Sequence, residues 1–359
     1  MTGPHGSGDI INGRYRIEMH VGEGGMQHVY RAFDLALSRD VALKTPKNNS
    51  ALKRFKRSAV VAAKVNHPNV AKTLDYLESD GGQYLVEEFI EGQDLEAALL
   101  QHTGYVDPYL AARLFHHLGK GVAAAHHAGV WHRDLKPTNA MATGGYKLEE
   151  VKITDFGIAK MADEELADAA EKGESTLSTN ATAVGALPYM APEAIDTPRS
   201  AGRPADIWSL GAMMYRFLTG DLPFGAGLRA VGKILEAAPP QFPKFLSSNP
   251  QFAPLSAELT RLILACLTKD PGARPTADQL VDMCGLLCYP VDQRLVGTVR
   301  EIRYGAWGFI QCGAKDIFFN MSSVYGERPK EGDKVVLAKY AGGGADRAHP
   351  IVLVQKPLA

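Results

Sequence analysis

The stretch from His132 to Asn139 reads HRDLKPTN, and it decides how the rest of the chain is interpreted. It combines an Asp that can accept a hydroxyl proton, a Lys two residues later and an Asn that can hold a metal ion, which is the residue set of a phosphoryl-transfer loop. The string ITDFGIAK follows, and its Asp155 is suited to bind Mg²⁺. Two such specific strings in this order are not a plausible accident, so they predict a phosphoryl-transfer site with Asp134 as the proton acceptor.

A glycine-rich hairpin lies upstream of these strings. Residues 21–30 read VGEGGMQHVY, and the strand-like run DVALK ends at Lys44. Backbone N–H groups of such a hairpin can approach phosphate oxygens closely, and Lys44 would contact the α and β phosphates. Most glycine-rich turns are only turns, but the order of the strings makes this one specific. The hairpin residues predicted to bind the nucleotide are Gly22, Glu23, Gly24 and Gly25.

Further strings extend the pattern, namely LPYMAPE, DIWSLG, LTGDLPF and KDPGARPT. On these motifs, residues 12 to about 287 resemble a bacterial Ser/Thr protein kinase of the eukaryotic-like type. The resemblance implies a bilobal α+β fold, with a β-rich N-lobe over residues 12–90, a helical C-lobe over residues 91–287 and ATP in the cleft between them. Residues 1–11 are expected to form a tail. The implied activity is transfer of the ATP γ-phosphate to Ser and Thr hydroxyls of protein substrates, with Mg²⁺ as the cation and Mn²⁺ as the alternative.

The resemblance also assigns roles to individual residues. Lys136 would steady the γ-phosphate, and Asn139 and Asp155 would hold the metal ion. Outside the site, Glu193 would pair with Arg274 and support the C-lobe. The residues expected around the adenine are Val29 and Ala42 above it, Met141 below it and the backbone groups of Glu88 and Ile90 at its edge.

The helix after Lys44 departs from the family pattern. Residues Arg54 to Val70 read RFKRSAVVAAKVNHPNV, in which apolar residues recur at helical spacing. The family helix carries a Glu that pairs with the strand Lys, whereas Ser58 stands here and residues 51–65 contain no acid. The predicted buried face consists of Phe55, Ala59, Ala62, Ala63 and Val65.

Three other positions depart from the pattern. Gln27 replaces the third glycine of the phosphate loop, Ala186 replaces a Thr that contacts the catalytic Asp and Lys, and Glu87 stands before the hinge where an apolar residue is normal. One interpretation is that these substitutions reflect neutral sequence drift in a degenerate kinase. A buried carboxylate at Glu87 is costly unless it is paired or protonated, so we hypothesise that it supplies the anion for Lys44 that Ser58 cannot. The alternative is that it stays neutral with a raised pKa.

The activity itself has an alternative. The catalytic set is complete, which favours an active enzyme, although the departures predict reduced activity. The other interpretation is a pseudokinase scaffold that binds nucleotide together with single-stranded nucleic acid or a protein partner.

The segment between DFG and APE begins KMADEELADAAEKGE and continues STLSTNATAVG. Arg133, next to the catalytic Asp, is a cation that can pair with a phosphate on such a segment. Solvated loops are commonly rich in Ser and Thr, so composition does not single out one site. The candidate phosphorylation sites are Ser175, Thr176, Ser178, Thr179 and Thr182.

The last part of the chain changes to short alternating strands. Its string GTVREIRYGAWGFIQCGAKDIFFNMSSV resembles a cold-shock domain, which implies a five-stranded OB barrel over residues 293–357 that binds single-stranded RNA or DNA. Trp307, Phe309 and Phe318 alternate onto one face and are the predicted stacking platform, whereas Phe319 is expected in the core. The linker is short, so the barrel should sit close against the C-lobe.

The barrel also departs from its family. Glu301, Gly305 and Asn320 replace an aromatic, a Lys and a His that would contact nucleic acid. Residues 291–359 hold ten Lys and Arg against seven Asp and Glu, which supports contact with phosphates only weakly. The alternative is a barrel that binds protein or packs on its own kinase.

Composition limits the remaining function classes. A net charge of -1 from 39 basic and 40 acidic residues gives no global field for nucleic acid or membrane. The N-terminus lacks the features of a signal peptide and no run of about eighteen apolar residues occurs, so we expect a cytoplasmic protein without a membrane partner. Cys266, Cys284, Cys288 and Cys312 fit a reducing compartment and lack zinc spacing. The oligomeric state is not indicated.

Overall fold

The computed structural model describes residues 3–23, 27–47, 52–156, 185–197, 201–287, 289 and 292–355. Its N-terminal part is an antiparallel sheet with one helix packed on it. The elements are β1 (Ile10–Ile11), β2 (Tyr15–Glu23), β3 (Gln27–Asp34), β4 (Arg39–Pro46), helix α1 (Leu52–Ala62), β5 (Thr73–Ser79) and β6 (Gly82–Glu88). The strand order in the sheet is β1-β2-β3-β4-β6-β5.

Helix α1 packs on the sheet through the predicted apolar face. Phe55 and Ala59 are buried against Leu85 of β6, and Ala62 is buried as well. Ala63 was expected on the same face but is exposed. The reason is that α1 ends at Ala62, so the chain turns before the helical spacing can bring Ala63 inward.

The middle of the chain is mostly helical. Its elements are β7 (Gly92–Asp94), a π-helical turn (Glu96–Leu100), α2 (Gln101–Thr103), α3 (Pro108–His127), β8 (Ala140–Thr143), β9 (Val151–Ile153), α4 (Pro192–Asp196), α5 (Arg203–Thr219), α6 (Ala230–Glu236), α7 (Phe245–Ser248), α8 (Ala253–Cys266) and α9 (Ala277–Gly285). Helix α5 is buried almost all round and forms the centre of this lobe, as expected for a helix without a polar face. No helix among the described residues is long and apolar enough to cross a membrane.

A closed barrel of five strands follows. The strands are β10 (Leu295–Arg303), β11 (Trp307–Cys312), β12 (Lys315–Asn320), β13 (Lys334–Tyr340) and β14 (Arg347–Leu353), in the order β10-β11-β12-β14-β13. Phe319 is buried in its core with Ile310 and Ile351, as predicted. The barrel closes where β12 and β14 pair in parallel at Phe318 and Arg347. The predicted fold of a strand-rich lobe, a helical lobe and a small barrel is therefore confirmed.

The barrel is packed against the helical lobe, as the short linker suggested. Val336 of β13 and Val352 of β14 belong to the same apolar core cluster as the lobe. Tyr325 is 1% exposed, and its hydroxyl donates to the Leu218 carbonyl at 2.9 Å. Its ring also contacts Phe252 edge to face. Barrel and lobe therefore share one buried core.

A buried ion pair joins the two at the start of α3. Arg294 Nη2 lies 2.9 Å and 3.0 Å from the two carboxylate oxygens of Asp107, and both side chains are almost fully buried. The same carboxylate caps α3, because it accepts from the backbone N–H groups of Tyr109 and Leu110. The barrel thus supports the N-terminus of the helix that leads to the HRDLKPTN loop.

We expect Arg294→Met to lower the free energy of unfolding by about 3–5 kcal/mol, because it leaves the Asp107 carboxylate buried without its cation. Urea unfolding followed by circular dichroism measures the change. The matched control is Arg261→Met, since the Arg261 pair with Glu258 is exposed and its loss should cost less than about 1 kcal/mol. Equal losses in the two variants would contradict a stabilising role for the buried pair.

Candidate active site

Helix α5 accepts hydrogen bonds from the backbone of the HRDLKPTN loop. The carboxylate of Asp206 accepts from the backbone N–H groups of His132 at 2.8 Å and Arg133 at 2.7 Å, and it is 1% exposed. Arg133 has φ of 67°, a left-handed conformation that costs energy for a residue with a side chain. Two backbone donors on one buried carboxylate offset that strain, so α5 fixes the shape of the loop.

The predicted catalytic residues of the loop are close together. Lys136 Nζ lies 2.9 Å from Asp134 Oδ2, and Asn139 Nδ2 donates to the same oxygen at 3.0 Å. Asn139 Nδ2 also donates to the Asp134 carbonyl at 2.7 Å, which ties the two ends of the loop together. These hydrogen bonds to the carboxylate all reach Oδ2, and within the described ranges none is made to Asp134 Oδ1. That oxygen is the one available to accept a proton.

Lys44 is buried between two carboxylates. Its Nζ lies 2.5 Å from Glu87 Oε2 and 2.7 Å from Asp155 Oδ1, and only 5% of Lys44 is exposed. The register explains the first contact, because Ala42 of β4 faces Glu87 of β6 and Lys44 is the next residue on the same face. Lys44 and Glu87 are therefore diagonal cross-strand neighbours.

Lys44 shifts the pKa of both Glu87 and Asp155, and the two carboxylates shift the pKa of Lys44. Burial acts to lower the pKa of Lys44, but the carboxylates of Asp155 and Glu87 outweigh it and the pKa is raised. Burial acts to raise the pKa of Asp155, but the Lys44 ammonium holds it below its usual range. Burial raises the pKa of Glu87, and the ammonium offsets only part of this. The contact proposed for Glu87 is thus present, together with the raised pKa that the alternative required.

Gln27 is a site residue whose role the sequence did not reveal. Its side chain is 5% exposed, and its Nε2 donates to Asp155 Oδ1 at 2.9 Å. The sequence showed an added side chain where a glycine is usual, which predicted only an obstacle to close approach. A side-chain amide at that position was the signal available, but its partner lies far along the chain.

The remaining nucleotide-binding candidates lie around the cleft between the lobes. Val29 pairs with Lys44 across β3 and β4, and Met141 on β8 faces Asp94. Ile90 is buried just after β6. The Glu88 carboxylate binds Lys152 Nζ at 2.7 Å, and the Glu88 backbone N–H donates to the Lys72 carbonyl at 2.9 Å, so neither group is available for the predicted adenine contact. Gly22 and the backbone of Glu23 lie at the end of β2, and Ala42 lies on β4.

Several predicted positions fall outside what the structure describes. They are Gly24 and Gly25 of the hairpin, the side chain of Ser58 on α1, and the candidate phosphorylation sites Ser175, Thr176, Ser178, Thr179 and Thr182. These stay predictions. The predicted pair of Glu193 and Arg274 is present. Arg274 Nη1 and Nη2 lie 2.6 Å and 2.9 Å from the Glu193 carboxylate, which confirms that prediction.

The proposed metal ligands offer oxygen atoms of the right kind. Asn139 uses its Nδ2 for Asp134, which leaves Oδ1, and Asp155 uses Oδ1 for Lys44 and Gln27, which leaves Oδ2. Carboxylate and amide oxygens suit Mg²⁺ or Mn²⁺. No cluster of three or more His, Cys, Asp or Glu side chains suited to a metal occurs among the described residues. The donor set therefore fits a cation that takes its other ligands from nucleotide phosphates.

Comparisons with known proteins identify the family of the chain. The family model described as "Protein kinase domain" matches residues 15–284. The chain is 32% identical over 290 residues to serine/threonine-protein kinase pkn2 of Myxococcus xanthus, a match that covers 76% of this chain and 32% of that protein. It is also 32% identical over 272 residues to serine/threonine-protein kinase PrkC of Bacillus subtilis, covering 74% and 39% of the two chains. The matched part thus spans well under half the length of these relatives.

A solved structure agrees at the level of the fold. The crystal structure of a point mutant of the Mycobacterium tuberculosis PknI kinase domain matches with a TM-score of 0.56 and 22% identity, covering 78% of this chain and 98% of that one. At this identity the match shows the fold alone. The family model covers most of the chain and includes both lobes and every residue predicted above to be catalytic. The chain belongs to the protein kinase family.

Proposed function

We propose that this chain is an ATP-dependent protein kinase that transfers the γ-phosphate of ATP to Ser and Thr hydroxyls of protein substrates. The observation that supports it is the contact of Lys44 with Asp155 across the two lobes, at 2.7 Å, beside a complete catalytic loop. The similar proteins named above are serine/threonine-protein kinases, which favours the same activity here.

The roles follow from the positions of the charged groups. Asp134 orients the acceptor hydroxyl and takes its proton as the oxygen attacks the γ-phosphorus. Lys136 balances the charge on the γ-phosphate, and Lys44 that on the α and β phosphates. Asn139 and Asp155 would hold a divalent cation, Mg²⁺ or alternatively Mn²⁺, which supplies charge neutralisation at the phosphates when it is bound. The leaving group is ADP, so no further reactant is needed.

Glu87 takes the part of the missing helix acid in this proposal. The acid of other kinases lies on the helix and holds the strand Lys over the phosphates. Here helix α1 has none, and a carboxylate on the next strand of the sheet contacts the same ammonium at 2.5 Å. Because Glu87 and Lys44 lie in one sheet, the contact between them depends on strand register.

A second function is supported at the barrel, where we propose binding of single-stranded RNA or DNA. The rings of Trp307, Phe309 and Phe318 lie 5.9–6.1 Å from each other and are only half-buried. Each has a guanidinium over its ring at 5.3–5.8 Å. These guanidinium groups belong to Arg300, Arg303 and Arg347. Exposed rings beside cations suit stacked bases and their phosphates.

Two further features of the barrel bear on such a platform, and the first supports it while the second opposes it. The strands that carry the rings are β11 and β12, whereas Val336 and Val352 on β13 and β14 face the helical lobe. Glu301 pairs with two of the arginines, which reduces the free positive charge. A protein partner on the same face is the competing outcome.

We expect Asp134→Asn to lower transfer of labelled γ-phosphate, to the chain itself or to a generic basic protein, by about 10²–10⁴-fold while nucleotide binding is retained. Asp278→Asn, which changes an exposed Asp paired with His127, is the matched control and should keep full transfer. Transfer that is absent from the unmodified chain, with nucleotide still bound, would overturn the kinase proposal and favour the pseudokinase scaffold.

We expect Glu87→Gln to lower kcat/KM for ATP by about 10–100-fold, because Lys44 loses one of its two anions and shifts from the phosphates. Steady-state kinetics measure this, and Glu78→Gln serves as control because that carboxylate pairs with Lys56 at the surface. The exchange variant Ser58→Glu with Glu87→Leu returns the acid to the helix and should recover part of the loss. Normal kinetics in Glu87→Gln would mean that Glu87 arose by neutral drift and does not position Lys44.

We expect Trp307→Ala to weaken binding of single-stranded RNA or DNA by roughly tenfold, since one stacked base is worth about 1–3 kcal/mol. Filter binding across a salt series measures it, and affinity should fall as salt rises. Tyr76→Ala, a partly exposed aromatic of the sheet, is the control. No retention even at low salt, or retention unaffected by Trp307→Ala, would remove the nucleic-acid proposal.

A further inference from the structure

In the ranges that the structure describes, the hydrogen bonds to the Asp155 carboxylate all reach one of its two oxygens. Oδ1 accepts from Lys44 Nζ at 2.7 Å and from Gln27 Nε2 at 2.9 Å. No hydrogen bond to Oδ2 is made from the part of the chain that the structure describes. The two donors come from neighbouring strands, β3 and β4, so they approach Oδ1 from different positions. Together they restrict the rotation of the carboxylate more than Lys44 alone can.

Asp155 needs such restraint more than an ordinary Asp does. Its φ of 62° is left-handed, which is strained for a residue with a side chain. It also follows β9 in the other lobe, so the sheet must hold it across the cleft. A conformation of this kind persists only where its surroundings determine it, and Gln27 provides one of the two hydrogen bonds that reach the carboxylate from the sheet.

The chemistry of an amide suits this position. Gln27 adds a hydrogen bond to Asp155 without adding charge, whereas a second cation would reduce the attraction of the carboxylate for a metal ion. Gln27 Oε1 is buried and has no partner among the described residues, which is uncommon for a core amide. A half-satisfied amide beside a carboxylate fits a site that is completed by a further group.

We propose that Gln27 is a positioning residue for the metal-binding carboxylate of Asp155. Together with Lys44 it occupies Oδ1, and Oδ2 is the oxygen that would hold the divalent cation. The proposal rests on the proposed kinase function, because it concerns the cation that accompanies ATP. It also gives a purpose to the side chain that replaces a glycine of the phosphate loop.

The test is the cation dependence of nucleotide binding in the full chain. Binding of a non-hydrolysable ATP analogue is measured by calorimetry over a series of Mg²⁺ concentrations, and Mn²⁺ binding by electron paramagnetic resonance. Gln27→Met keeps the length of the side chain and removes its hydrogen bonds. We expect the Mg²⁺ and Mn²⁺ concentrations for half-saturation to rise about tenfold or more, as for other partners of metal ligands, with metal-free analogue binding unchanged.

The matched control is Gln83→Met, since Gln83 lies on the same sheet and also has a buried, unpartnered amide oxygen but no contact with Asp155. Cation dependence identical in Gln27→Met and the unmodified chain would overturn this inference while leaving the kinase proposal intact. Equal losses of affinity for the analogue with and without the cation would overturn it as well, because they indicate general damage to the pocket. An unmodified chain that binds no analogue under any condition would overturn both proposals.

Discussion

The buried ammonium of Lys44 is the interaction on which the candidate site depends. It comes from the N-terminal sheet, and one of its two carboxylate partners, Asp155, comes from the helical lobe. A lysine this deeply buried stays charged only when anions compensate for lost hydration, and the two carboxylates do so. The dependence is mutual, because Asp155 and Glu87 repel each other and lie close only through the cation between them. One ammonium thus links the N-terminal sheet to the helical lobe and offsets the repulsion between the two carboxylates.

Three residues of the candidate site are attached to one sheet. Gln27, Lys44 and Glu87 lie on β3, β4 and β6, which are consecutive neighbours in one sheet. Hydrogen-bonded strands keep their spacing far better than a helix packed on a sheet through a few apolar contacts. The contact between Lys44 and Glu87 is therefore made within the sheet, and not between the sheet and an acid on α1.

The barrel is better regarded as part of the helical lobe than as a tethered module. Tyr325, Val336 and Val352 complete an apolar core that the lobe's helices begin, and Arg294 neutralises the carboxylate that caps α3. This use of one side of the barrel leaves the aromatic side of β11 and β12 uncommitted. Packing on the kinase and binding a ligand were opposed in the sequence interpretation, but they use different strands and are compatible.

The sequence by itself determined the family and the order of the elements, and it predicted the catalytic residues, because short motifs such as HRDLKPTN carry their chemistry within a few neighbouring positions. It also showed that an acid was lost at Ser58 and another gained at Glu87. Only the tertiary structure decided that Glu87 reaches Lys44, that Gln27 reaches Asp155 and that Arg294 reaches Asp107. Each of these contacts joins residues distant in the chain, and their distances depend on strand register and on lobe packing, which local patterns do not encode.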